Sequence, residues 1–169
     1  MVNSKLLKKN KILIIAAHPD DKRYKHIFGK KAVSPVFFAP VPIFPSELVD
    51  MEKGTGILMV CTFGDQTDVI WWRENSLPLR QLFGSNGKVL NINYENEESS
   101  SNWISINPDK ANKNISKLYE KSLKQSKDII IDMLRDSDNS LNNKEPLVSE
   151  PKIISHPVRY YEKGDSPIE

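Results

Sequence analysis

The sequence lacks the features that mark exported, disulfide-bonded or membrane-spanning proteins. A single cysteine, Cys61, among 169 residues excludes an internal disulfide, which is typical of a reducing compartment and predicts a cytoplasmic location. No apolar run approaches the roughly 20 residues of a membrane span, so we expect no membrane partner. The 24 basic and 22 acidic residues nearly cancel, so the net charge does not identify a nucleic-acid-binding protein.

The composition that remains is that of one globular domain, with 38% hydrophobic and 27% charged residues. A chain of this length buries about two-thirds of the surface that it exposes when unfolded. Its basic residues crowd the first part of the chain, at Lys5, Lys8, Lys9, Lys11, Lys22, Arg23, Lys25, Lys30 and Lys31. Such a cluster is typical of a phosphate-binding patch, but solvated surface lysines explain it equally well.

The first half of the chain predicts a β-rich core. Residues Lys11–Ala17 and Gly54–Phe63 are short apolar runs bounded by turn residues, which is typical of buried strands. Between them, prolines interrupt the segments AVSPVFF and VPIF. Because each proline removes a ladder donor, we expect edge-like, bent or corner strands there.

The second half predicts helices and a returning strand. Asp65, with Asp68 three residues later, has the spacing of a short helix start. Further on, Asn107 and Pro108 predict another start, and apolar residues at helical spacing extend one amphipathic helix to Arg135. We therefore predict a single domain with a core over 11–94, a helix over 107–135, a linker over 136–150 and a final strand within 151–169.

Four sequence words in a fixed order carry the functional information. They are HPDDKRYKHIFGKKA from His18, VDMEKGTGILMVCTFGDQTD from Val49, NSLPLR from Asn75 and HPVRYYEKGDSPIE from His156. Together they resemble the inserted editing domain of valine tRNA synthetases, in the form found in the archaeal-type branch. The resemblance implies an α+β, mostly β fold: the bent, barrel-like domain shared with isoleucyl and leucyl synthetases, with peripheral helices.

The resemblance implies metal-free hydrolysis of threonine wrongly attached to valine tRNA. Threonine and valine are nearly isosteric, so an apolar pocket separates them by only about a hundredfold and a second, hydrolytic site is needed. The implied partners are the 3′ end of tRNA(Val) carrying threonine and a separate synthetase catalytic body. No cofactor is implied for editing, because ATP belongs to a catalytic domain whose HIGH-like and KMSKS-like words are absent from this sequence.

The resemblance also assigns the site residues. Asp68 matches the catalytic-site aspartate that holds the α-ammonium group of the substrate, and Asp65 matches the acidic position before it. The implied substrate-binding residues are Cys61, Thr62, Phe63, Gly54, Thr55 and Gly56, the last three through backbone amides. From spacing alone, helix capping explains both aspartates, and a plain strand entry explains the Gly-Thr-Gly turn.

Two departures from the family pattern leave a non-hydrolytic alternative open. MVNSKLLKKN stands where the family has a threonine-rich word that supplies part of the pocket, and Met59 stands where some branches have lysine. The alternative is an inactive remnant that binds tRNA weakly through the basic residues of Lys22–Lys31, with strong salt dependence.

Another alternative starts from KILIIAAHPDDK, which also resembles the opening of zinc-dependent N-deacetylases of the LmbE type. There His18 and Asp21 would bind zinc and Asp20 would act as the general base. The other two histidines, His26 and His156, lie in unrelated words. We therefore prefer to interpret His18 as a strand-end residue whose ring is hydrogen-bonded to the neighbouring backbone.

Overall fold

A computed structural model of the chain describes residues 14–60, 69, 70, 73 and 80–152. Those residues contain four strands, β1 (Ile14–Ala17), β2 (Lys31–Val33), β3 (Pro40–Pro45) and β4 (Ile57–Val60), and two α-helices, α1 (Pro108–Ser116) and α2 (Leu123–Arg135). Short 3-10 helices occupy Lys25–Ile27 and Ser137–Asn139. The predicted α+β, mostly β class is confirmed. No helix in the described ranges has the length and apolar character needed to cross a membrane.

The four strands form one mixed sheet in the order β2–β3–β1–β4. Ile15 of β1 lies opposite Ile43 of β3 in a parallel pair and opposite Met59 of β4 in an antiparallel pair. β2 pairs antiparallel with β3, with Ala32 opposite Val41. The outer strands β2 and β4 are not paired with each other, so within the described ranges the sheet is open and the predicted barrel-like closure is not seen.

The proline-rich strand β3 lies inside the sheet, so the prediction of an edge-like strand was wrong. The amides that make its hydrogen bonds belong to residues other than proline. The Ile43 amide donates to the Lys30 carbonyl at 3.0 Å, and the amide of Ser46, directly after the strand, donates to the Ala17 carbonyl at 2.9 Å. Successive residues of a strand direct their amides to opposite sides. The spacing of the prolines, more than their number, therefore decides whether a ladder loses a donor.

Strand β4 was predicted to be buried, and the structure corrects this. Ile57 is 38% exposed and Met59 is 55% exposed, because β4 is an outer strand of the sheet. Leu58 packs on the opposite side against the buried Ile14 and Val49. The strand therefore shares one face with the core and presents its other face outward.

The single helix predicted over 107–135 is in fact two helices. α1 begins as expected, with the Asn107 side chain accepting a backbone amide and proline at the first helical position. The chain then turns through Glu120, whose φ is 62°, and Ser122 caps α2 in a capping box. Apolar spacing does not reveal this break, because Leu118 in the turn is buried with the apolar face of α1.

In the described part of the chain, two clusters of buried side chains belong to different stretches of the sequence. The sheet cluster comprises Ile14, Ala16 and Val49. The helix cluster comprises Val89, Ile92, Tyr94, Ala111, Ile115 and Leu118. The loop of residues 35–39 connects the two halves: the Val36 amide donates to the Asn139 carbonyl, and the Phe38 carbonyl accepts from the Ile106 amide.

Other predicted elements lie partly or wholly outside the described residues. Val69, Ile70 and Arg73, within the predicted short helix, are helical, whereas its predicted start at Asp65 lies outside. The predicted linker over 136–150 begins with a 3-10 helix in which Asn139 is buried. Residues 153–169, which include most of the predicted return strand, also lie outside.

Candidate functional site

Some of the predicted site residues precede β4 and are described by the structure, whereas the others follow β4 and are not. The structure describes Gly54, Thr55 and Gly56, which form the turn that begins β4. Outside the described residues lie Cys61, Thr62, Phe63, Asp65 and Asp68, so the roles given to them stay predictions. Since β4 ends at Val60, directly before Cys61, the described residues stop where the predicted site residues Cys61 to Asp68 begin.

The Gly-Thr-Gly turn has a backbone that favours glycine at both ends. Gly54 and Gly56 have φ values of 60° and 75°, in the left-handed region that side chains disfavour. The Gly56 amide donates to the Lys53 carbonyl at 3.0 Å and closes the turn. The strand-entry interpretation thus accounts for the Gly56 amide, and a substrate contact of the turn stays a prediction.

The HPDDKRY word contacts this turn through an ion pair that we call the Asp21–Arg23 brace. The buried Asp21 carboxylate accepts from Arg23 Nε at 2.9 Å and from Arg23 Nη2 at 2.6 Å. The same Nη2 donates to the Met51 carbonyl at 3.0 Å, and the Tyr24 hydroxyl donates to the Thr55 carbonyl at 2.7 Å. The hydrogen bonds from Arg23 lower the pKa of Asp21 from its ordinary value, so the carboxylate stays charged.

Gly56 lies directly against the brace. A Cβ atom at this position would lie 2.6 Å from Arg23 Nη2 and 3.1 Å from Asp21 Oδ2. The Arg23 end of this contact is tied by hydrogen bonds to two groups, so it cannot move away without breaking them. The second glycine of the turn is therefore required both by its φ and by the closeness of the brace.

His18 directly follows β1, and its ring is hydrogen-bonded to the neighbouring backbone, which confirms the interpretation that we preferred. Its Nδ1 accepts from the Asp20 amide at 3.1 Å. The zinc-binding alternative needs the Asp21 oxygens, and both are engaged by Arg23. In the described parts of the chain, no group of three or more His, Cys, Asp or Glu side chains is placed to hold a metal ion.

A cavity of about 870 Å³, which the sequence did not predict, opens between β4 and the helices. Its described apolar lining includes Met59, Leu82, Phe83, Leu118, Leu123 and Ile130. Among the described lining residues, the charged side chains are Arg80 and Lys127, both cationic. The cavity therefore suits a ligand that combines apolar surface with negative charge.

Arg80 and three aromatic side chains, Phe37, Tyr94 and Trp103, form one wall of this cavity. The Arg80 guanidinium lies 5.4 Å from the Trp103 ring centroid, a cation–π contact, and burial lowers the pKa of Arg80. Burial also raises the pKa of Tyr94 to about 12. Tyr94 stacks on Phe37 at 5.5 Å and meets Trp103 edge-on at 5.7 Å. The sequence signal was present, since Arg80 ends the NSLPLR word, but nothing in it indicated burial.

The basic patch predicted over Lys22–Lys31 is smaller than its charge count suggests. Arg23 is paired with Asp21, and Lys31 is paired with Glu97. The side chains of Lys22, Lys25 and Lys30 are exposed. These three exposed lysines are therefore the part of the predicted patch that could bind a phosphate backbone.

Comparison with known proteins finds relatives that share one name, valine–tRNA ligase. No family model matches the chain. The chain is 40% identical over 155 residues to a valine–tRNA ligase of Thermobifida fusca (strain YX), 38% identical to that of Leifsonia xyli subsp. xyli, and 40% identical to that of Salinispora arenicola. Each alignment covers 92% of this chain and 16% of the relative. The resemblance to valine tRNA synthetases is thereby confirmed for one segment of these enzymes.

Proposed function

Because the chain is homologous over most of its length to a segment of valine–tRNA ligases, we propose that it is an editing domain that hydrolyses threonine from mischarged valine tRNA. One observation carries the proposal. β4 leads from the Gly-Thr-Gly turn directly into the CTFGDQTD word, and Met59 of that strand lines the cavity of about 870 Å³.

The charge of the cavity supports this substrate class. The 3′ end of a tRNA brings phosphates and an apolar base face to the site. Arg80 and Lys127 are cationic, and Trp103 contributes an aromatic surface beside Arg80. Cationic groups beside an aromatic ring are a common arrangement for binding a single-stranded nucleotide.

The proposed chemistry is attack of water on the ester that joins threonine to the terminal ribose. Asp68 holds the α-ammonium group by a charge-assisted hydrogen bond and so fixes the carbonyl for attack, while Asp65 supports the same site. The water oxygen bonds to the carbonyl carbon and loses a proton, the bond to the ribose oxygen breaks, and the ribose oxygen takes up that proton. Thr62 meets the threonine hydroxyl, a contact that valine cannot make and that is worth on the order of 1–3 kcal/mol.

The test is deacylation of threonine-charged and valine-charged tRNA(Val) by the purified chain. We expect selective release of threonine, abolished in Asp68→Ala and unchanged after treatment with a chelator. Asp109→Ala is the matched control, because Asp109 is an exposed acidic residue in the first turn of α1. Equal release of threonine and valine, or loss of activity on chelation, would contradict the proposal.

A folded but inactive remnant that binds tRNA is the second candidate, supported by the exposed side chains of Lys22, Lys25 and Lys30. In that case the chain releases no threonine, yet binds tRNA with an affinity that falls steeply with salt. Replacing the exposed Lys22, Lys25 and Lys30 together by glutamine would weaken that binding. An affinity that is independent of salt would rule this candidate out.

A further inference from the structure

We propose that Arg23, anchored by Asp21, is a positioning residue that fixes the Gly54–Gly56 turn and thereby the position of β4, the strand that precedes Cys61 and Thr62 in the sequence. The expected effect on hydrolysis rests on the proposed function above, whereas the expected effect on the position of β4 does not.

The anchor of the brace is fixed to the centre of the sheet. Asp21 is only 5% exposed, and its amide donates to the His18 carbonyl at 3.0 Å, one residue beyond β1. The Arg23 amide donates back to Asp21 Oδ1 at 3.0 Å. The carboxylate that orients the guanidinium is thus placed by the turn that ends an interior strand.

From this anchor, two neighbouring side chains hold one carbonyl before the turn and one at its centre. Arg23 Nη2 binds the carbonyl of Met51, and the Tyr24 hydroxyl binds the carbonyl of Thr55. The next residue, Gly56, passes so close to Arg23 that an added Cβ atom would lie 2.6 Å from Nη2. The chain is therefore held three residues before the turn and at its central residue, and the last residue of the turn packs against Arg23.

The position of the turn is passed on to β4. Ile57, the first residue of β4, follows Gly56 and lies opposite Ala17, the last residue of β1. The brace thus joins the end of β1 to the start of β4, and four residues of strand separate it from Cys61. A misplacement of about 1 Å at reacting groups can lower a rate about a hundredfold.

Arginine suits this role because its planar fork binds both carboxylate oxygens at once. Lysine keeps the charge but offers a single donor centre, so it cannot occupy Asp21 with two nitrogens and reach the Met51 carbonyl in the same geometry. Arg23→Lys therefore removes the geometry of the brace while the charge remains.

The single cysteine of the chain gives a direct readout of the proposed effect. Cys61 follows β4 immediately, so its rate of reaction with a maleimide reports the position of that segment. We expect Arg23→Lys and Gly56→Ala each to change this rate by at least about threefold, since both disturb the same contact from opposite sides. A combined variant should change the rate little more than either single variant.

Matched controls separate positioning from a general loss of stability. Arg135→Lys breaks a similar fork, in which Arg135 binds Glu150 through Nε at 3.1 Å and Nη2 at 2.7 Å on the helical side of the molecule. Gly87→Ala introduces a side chain at a φ of 69° with nothing within 4 Å. Both controls should leave the Cys61 rate unchanged, and thermal unfolding of each variant confirms that the folded protein is measured.

The rate of threonine release is the second readout of the Arg23→Lys variant. In a chain that releases threonine, Arg23→Lys should lower kcat about tenfold or more with little change in KM. Unchanged Cys61 rates in Arg23→Lys overturn the inference whatever the hydrolysis assay gives, and this variant alone decides if Gly56→Ala does not fold. Altered Cys61 rates in a chain that shows no hydrolysis contradict the proposed function but support the positioning role of Arg23.

Discussion

Replacing Asn114 by alanine tests how the helices are fastened to the sheet. Asn114 is 3% exposed, and its Nδ2 donates to the Val36 carbonyl at 2.7 Å and to Asn139 Oδ1 at 2.9 Å. Asn139 in turn donates to the Met133 carbonyl at 2.8 Å and accepts the Val36 amide through its own carbonyl. One side chain on α1 thus holds both the 35–39 loop and the 3-10 helix after α2.

The expected loss in the free energy of unfolding follows from the hydrogen-bond acceptors that Asn114→Ala leaves without a donor. Alanine removes two hydrogen bonds worth about 1 kcal/mol each and leaves two buried acceptors without these donors, so we expect a loss of about 3 kcal/mol in the free energy of unfolding. With a urea dependence of about 2 kcal/mol per molar, the midpoint of unfolding falls by about 1.5 M. The Tm falls by roughly 6–12 °C for a chain of this size.

Urea unfolding followed by far-ultraviolet circular dichroism measures this loss. Asn142→Ala is the control, because the exposed Asn142 likewise makes two hydrogen bonds, here as the acceptor, from Ser140 Oγ at 2.9 Å and from the Lys144 amide at 3.2 Å. Its effect should stay within about 0.5 kcal/mol, as at most surface positions. A loss below about 1 kcal/mol for Asn114→Ala, at an unchanged urea dependence, would refute the reasoning.

Two further predictions concern pH and helix capping. Burial raises the pKa of Tyr94 to about 12, so the folded state keeps a proton that the unfolded chain releases above about pH 10. The resulting stability is present below about pH 10 and is lost as the pH rises towards 12. Tyr94→Phe should therefore flatten the decline of the urea midpoint over this pH range. Ser122 caps α2 in a capping box, so Ser122→Ala should lower the free energy of unfolding by about 1 kcal/mol. The exposed Ser116→Ala serves as its control in the same urea experiment, and equal effects of the two serine variants would contradict the capping argument.

Local chemistry made part of the fold predictable. Asn107 followed by proline marks the start of α1 because capping and the fixed proline φ act within a few residues. The break at Glu120 escaped prediction, because a glutamate in the left-handed region has no sequence signal. The interior place of β3 escaped for another reason: pairing with β1 and β2 outweighs the local preference of proline for sheet edges.

The candidate site was predictable only as far as the family words reach. The roles of Asp65 and Asp68 come from the resemblance, since their spacing alone favours helix capping. The contact between Arg23 and Met51 joins residues 28 positions apart, and neither word alone indicates it. The cavity depends on Arg80, Tyr94 and Trp103 meeting in space, which apolar spacing along the chain does not encode.

The two clusters of buried side chains have a consequence for cooperativity. The sheet cluster comes from the first 49 residues and the helix cluster from residues after 88, with Val36 and Phe38 of the 35–39 loop bonded across to the helical half. Segments with separate cores open as separate units in hydrogen exchange. A ligand in the cavity would slow exchange first in the amides of the helix cluster. Protection would reach β4 through Met59, which lines the cavity, and β1 through its pairing with β4, so the two halves of the molecule can differ in their free energy of opening.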